Sequence, residues 1–152
     1  MHYPSDLKML LVNASSVANS AEVLFAAANQ AKSQSEQLTA NTLIGSGILC
    51  AFGIELLLKS IHSLINADNG FHSGHDLKQL FDQIPNQAVR DGISDGFRTQ
   101  ATKELDDFLN AHKSAFQDWR YFCENQATLD FDMKSARILT AILNAKIQEL
   151  NT

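Results

Sequence analysis

The sequence predicts an all-α domain, and three observations carry that prediction. Apolar residues recur at steps of three and four along most of the chain, the period of a helix with one buried face. Prolines, which break helices, occur only at positions 4 and 85 of 152. Alternating β-type patterning is confined to the short run Thr128-Leu-Asp-Phe131. The expected architecture is a helical bundle. With 45% hydrophobic and 19% charged residues, the composition is that of a globular chain long enough to bury a core, read as a single domain over 1–152.

The first helix is expected to start at Ser5-Asp6, which offer N-cap oxygens. Leu7, Leu10, Leu11, Ala14, Val17, Ala18, Ala21, Leu24, Phe25, Ala28 and Ala31 follow as one stripe, rich in alanine, that lets a neighbour approach closely. The polar run Lys32 to Glu36 reads as a turn.

A second helix is expected from Glu36 or Leu38 to about Ala67, before Asp68-Asn69-Gly70. Its centre, TLIGSGILCAFGIELLLKSI, is apolar on every side, as in the central helix of a bundle or one that also meets a partner subunit. Gly45, Gly47 and Gly53 each cost roughly 1 kcal/mol of helix propensity relative to alanine, a cost that close backbone packing explains. The most apolar stretch, Leu43 to Leu58, is short and interrupted for a membrane span, so no membrane partner is expected.

A short helix from about Asp76 to Ile84 is stopped by Pro85. Asn86 to Asp95 reads as a further helical segment interrupted near Gly96. Thr99 to Glu124 contains neither Gly nor Pro and reads as a helix with a bend at Asn110 or Lys113. A last helix starts near Asp130 or Asp132 and uses Leu139, Ile142, Leu143, Ile147 and Leu150.

The net charge of -5, with 12 basic residues scattered along the chain, forms no linear basic patch for nucleic acid or membrane. The opening MHYPSDLKML lacks the pattern of a secretory leader, and Cys50 and Cys123 fit no ligand or redox spacing; both are expected as buried, reduced thiols of a cytoplasmic protein.

Polar residues embedded in apolar helices are the candidate site. Glu55 lies among Ile54, Leu56, Leu57 and Leu58 and shares a helix face with Lys59 and His62. A carboxylate there must be paired or lie in a cleft, since desolvation alone costs several kcal/mol. It is either an internal ion pair with Lys59 or Arg120, or an acidic site residue. The segment His72-Ser-Gly-His75-Asp76 offers metal-ligand types without a third ligand elsewhere; helix capping and loop anchoring account for it better, and no metal or other cofactor is expected. In Phe116-Gln-Asp-Trp119-Arg120-Tyr121-Phe122-Cys-Glu124, an Arg among aromatics can stack on rings, pair with a carboxylate, or bind a phosphate or base. His112 falls on the apolar stripe of its own helix. No nucleophile elbow, phosphate loop or dinucleotide fingerprint appears.

Three pieces in order, AFGIELLLKSI, GHDLKQLF and FQDWRYFCE, together resemble the HEPN superfamily over roughly Leu38 to Glu124. The resemblance implies an up-and-down bundle of four main helices plus a short extra one, assembled as a homodimer. Many members are metal-independent ribonucleases, toxins or phage-defence factors, often beside a nucleotidyltransferase partner, with an Arg followed after four to six residues by a His at the dimer cleft. Arg120 resembles that Arg, but Asn125, Gln126 and Ala127 stand where the His belongs, and Arg90, Arg98 and Arg137 lack one too. The resemblance therefore implies a non-catalytic or divergent HEPN-like domain. The charged residues embedded in its apolar helices, Glu55, Lys59, His75, Asp76, Arg120 and Tyr121, are expected to form a polar cluster that is either structural or recognises RNA or a nucleotide. His62, His112, Trp119 and Glu124 are secondary candidates. The alternatives are a divergent ribonuclease using His75 or His112 for proton transfer, and a structural partner of a nucleotidyltransferase.

Overall fold

The computed structural model describes residues 5–31, 36–66, 74–115 and 131–152. Among them the chain is all-α, a helical bundle without strands: α1 (Ser5–Ala31), α2 (Glu36–Ile65), α3 (Leu77–Asp82), α4 (Gln87–Ala101), α5 (Leu105–Ala111) and α6 (Met133–Leu150). Four helices are long and two, α3 and α5, span six and seven residues.

α2 is central, packing on α1, α3 and α6, while α4 packs on α6. α1 and α2 run in opposite directions, and small residues set their spacing. A Cβ at Gly53 would stand 3.4 Å from the Ala18 Cα, and one at Gly45 would stand 3.4 Å from a Leu24 methyl. The Ser46 hydroxyl donates to the Ala21 carbonyl at 3.0 Å, so this buried polar group in the seam is satisfied. Glu22 on α1 receives both arms of the Arg137 guanidinium from α6, at 2.7 and 2.6 Å, and that guanidinium also lies 4.2 Å from the centre of the Phe25 ring. The core itself is built from Ile54, Leu57, Leu58 and Ile61 of α2, with Leu77, Leu80, Ile93, Phe97, Leu139 and Leu143 closing around them.

Helix starts follow capping chemistry. Asp76 accepts from the Gln79 amide, Asn86 from Val89 and Asp132 from Ser135, each satisfying an amide that has no intrahelical partner. Ser5 is already helical rather than a cap.

Two expectations are corrected. Gly96 does not interrupt α4, which continues to Ala101; a Cβ there would make only ordinary contact, at 3.7 Å, with the Ile142 side chain of α6. The helix expected from Thr99 is instead broken at Thr102, whose φ of 56° reverses the chain before α5 begins. α5 ends at Ala111, where His112 to Ser114 form a turn, close to the bend expected at Asn110 or Lys113. The expected turn after α1 and the residues from 116 to 130 lie outside the described residues; Phe131, at the end of the β-type run, is not in a strand.

By length and composition, Asp6–Ala31 and Thr42–Ile65 each suffice to cross a bilayer, so the span from Leu43 to Leu58 understates the apolar length of α2. They differ in coverage: 56% of the apolar window of α2 is buried in the bundle, against 17% for α1.

Candidate functional site

Glu55 points into the bundle and is 1% exposed. Its neighbours on α2 are core residues, so the helix period that buries Ile54 and Leu58 buries the carboxylate with them. One oxygen, Oε1, accepts two hydrogen bonds: from Lys59 Nζ at 2.7 Å, one turn along the same helix, and from His75 Nδ1 at 2.9 Å, just before α3. The other oxygen, Oε2, is buried with no hydrogen-bond partner among the described residues. Lys59 is largely covered, whereas the His75 side chain is 49% exposed, so the cluster runs from the core to the surface through the imidazole.

This geometry fixes the histidine chemically. An ionised carboxylate only accepts, so Nδ1 carries the hydrogen, and a neutral ring then has its basic lone pair on Nε2. A buried acid that sets the tautomer of a half-exposed imidazole is an arrangement that can orient a hydrogen-bonding ligand or a transferable proton.

The expected cluster is thus present in part. Glu55, Lys59 and His75 come together. Asp76 is turned away to cap α3, accepting from the Gln79 amide at 2.9 Å. His62 lies two turns further along α2 from Glu55. Arg120, Tyr121, Trp119, Glu124 and His72 lie outside the described residues. No group of three or more His, Cys, Asp or Glu that can hold a metal occurs among those described.

His112 occupies a different place. Its ring contacts Phe108, tilted with centroids 4.7 Å apart, and Phe131, edge-on at 5.1 Å, beside a cleft of about 690 Å³ that also meets Lys103, Asp107 and Asp132. Lys103 and Asp132 form an ion pair across that cleft. Burial opposes ionisation of Asp132, but hydrogen bonds from Lys103 and from the amide and hydroxyl of Ser135 outweigh it, holding the carboxyl down at about 2. Sequence reasoning missed this cleft because Phe108 and Phe131 belong to separate elements, and no periodicity connects them. The two regions are neighbours: the Leu77 amide, two residues after His75, donates to the Lys113 carbonyl, one residue after His112, at 2.9 Å.

No family model, curated protein or solved structure matches this chain.

Cys50 is buried beside Thr140, its sulfur 3.8 Å from the hydroxyl. Burial pushes the thiol up to about 11, which keeps it protonated and inert at neutral pH. Cys123 lies outside the described residues.

Proposed function

We propose that this chain is a non-catalytic or divergent HEPN-like domain, a homodimer in the cytoplasm that acts by binding, with RNA or a nucleotide as its ligand in a defence or toxin–antitoxin setting. The observation that carries the proposal is the buried Glu55 carboxylate held between Lys59 and the half-exposed His75. Removing a carboxylate from water costs several kcal/mol, which the two partners on Oε1 offset only in part; an apolar side chain of similar size would fill the position at no such cost. The retained cluster presents an imidazole of set orientation at the surface. The order of AFGIELLLKSI, GHDLKQLF and FQDWRYFCE supports the HEPN-like reading, and the absence of a His after Arg120 supports binding over cleavage.

The test is titration of labelled single-stranded RNA and of nucleoside triphosphates with the purified chain. Saturable binding that weakens at least tenfold in His75→Ala and in Arg120→Ala, with the RNA left intact, is the expected result. Cleavage of the RNA by the pure protein, abolished by Arg120→Ala without loss of fold, would overturn it.

One observation favours a second reading. A carboxylate-oriented imidazole is also the geometry of a general base, so a divergent metal-independent ribonuclease would use His75 at the 2′-hydroxyl. That reading predicts growth inhibition on expression, relieved by His75→Ala. A nucleotidyltransferase-like protein is the proposed partner if the domain serves as a structural companion; co-purification from the native host tests it.

A further inference from the structure

α1 carries two seams at helical spacing, and the bundle uses one. Leu7, Ala14, Ala18, Ala21 and Ala28 are buried. Met9, Val12, Ser16, Asn19, Val23 and Ala26 are all exposed. Their steps are three, four, three, four and three, the heptad period of a helix that packs along another helix. At about 100° per residue the second seam lies nearly half a turn from the first, facing away from the core. The three large apolar side chains that stand out in solvent among the described residues are Met9, Val12 and Val23, at 60, 58 and 67% exposure, and all belong to this seam. α2, the more apolar helix, is instead taken up largely by α1, α3 and α6 of its own chain.

We infer that the outer seam of α1 pairs with the same seam of a second copy of this chain, antiparallel about a two-fold axis between Ser16 and Asn19. The inference rests on the dimeric reading above and assigns its interface. The pattern is self-complementary in that register. Met9 meets Ala26 of the copy, Val12 meets Val23, and Ser16 meets Asn19, so apolar groups face apolar groups and the polar pair faces itself. A Ser16–Asn19 pair inside an otherwise apolar seam costs stability but specifies register, because a shifted pairing would set the Asn19 amide against valine. Charge does not oppose the pairing. The positions flanking the seam are Lys8, Asn13, Ser15, Ser20, Glu22, Ala27 and Asn29. Of these, Lys8 lies at the end of the seam opposite Ala27, and Glu22 is neutralised by Arg137. A helix of 27 residues is about 40 Å long and presents a strip about 10 Å wide, roughly 400 Å² per partner. That is about half the area of a standard stable interface, and its centre is polar, so the dimer should dissociate at micromolar concentrations.

Light scattering after gel filtration, run from about 1 to 200 μM, tests the inference together with Val23→Glu, which sets a carboxylate against Val12 twice in each dimer. Val23 is exposed in the single chain, so the variant's fold, followed by far-UV circular dichroism, should persist. The expected result is a concentration-dependent dimer that Val23→Glu weakens at least tenfold. In oxidising buffer, the paired variant Val12→Cys with Val23→Cys should form a covalent dimer, and Val12→Cys alone should not, since the two copies of position 12 lie on opposite sides of the axis. A dimer unaffected by Val23→Glu, or uncrosslinked by the paired cysteines, would overturn the α1 interface while leaving the dimer itself standing. Crosslinking by Val12→Cys alone would overturn the antiparallel register. A monomer throughout the range overturns both interface and dimer. A monomer that sediments with phosphatidylcholine–phosphatidylglycerol vesicles through these same residues assigns the seam to lipid and likewise overturns the inference.

Discussion

His75 Nδ1 lies 2.9 Å from Glu55 Oε1, so a loop residue ahead of α3 is tied to a carboxylate in the core of α2. The bond joins two elements, and it works as a structural anchor whatever else the imidazole does. Glu55→Ala should strip Lys59 of its partner in a mostly covered position and cost about 1–3 kcal/mol in urea unfolding, while His75→Ala, at the exposed end, should cost under about 1 kcal/mol. Glu55→Gln, which keeps the shape and an acceptor, should fall between them.

Asp132 gives the protein a defined acid response. Its folded carboxyl sits at about 2, below the ordinary value of 3.8. A depressed carboxyl contributes stability that is fully present above the unfolded value and is lost as pH falls through the folded one. Stability should therefore decline between about pH 4 and pH 2, and Asp132→Asn should flatten that part of the profile. Because asparagine also caps helices, Asp132→Asn should cost less than Asp132→Ala, which should lose about 1 kcal/mol.

Thr102 holds a left-handed backbone conformation, φ 56°, at the end of α4. A β-branched residue there is strained by about 1–2 kcal/mol, and glycine is not. Thr102→Gly should raise the stability by about 0.5–1 kcal/mol, after loss of the hydroxyl bond to the Ala101 carbonyl, and thermal unfolding should show it.

Two glycines in helices should respond oppositely to added bulk. At Gly96 a methyl makes ordinary contact with Ile142, so Gly96→Ala should stabilise by about 0.5–1 kcal/mol through helix propensity. At Gly53 the neighbour is the Ala18 backbone, which cannot turn aside, so Gly53→Leu should destabilise by about 1–3 kcal/mol or more. Chemical denaturation of both variants checks the contrast.

Local chemistry was legible where one residue decides the outcome. Asp76, Asn86 and Asp132 each cap a helix close to where a polar residue meets an apolar stripe, and Gly53 sits against α1 as a central helix requires. Glu55 could be singled out because charge is costly among leucines; its pairing with Lys59 followed from a step of four. Other features depend on tertiary contact and leave no local trace. Gly96 looks like a breaker yet lies inside α4, which packs along α6, and Thr102 breaks a helix in a stretch without Gly or Pro. The contact of His112 with Phe131 joins residues far apart in the chain. Met9, Val12 and Val23 fall off the apolar stripe of α1, but that they stand in solvent, rather than against another helix of the bundle, is set by the tertiary packing.

The packing of α1 has a kinetic meaning. It rests chiefly on α2, its neighbour along the chain, so their hairpin closes over a short loop and can assemble early. α6 must instead return past the whole of α3, α4 and α5 to reach α2, and Arg137 then fastens it to Glu22 of α1. If α6 docks last, Cys50, which Thr140 of α6 covers, lies bare on the hairpin until then, and that interval is the one in which the chain is most exposed to aggregation.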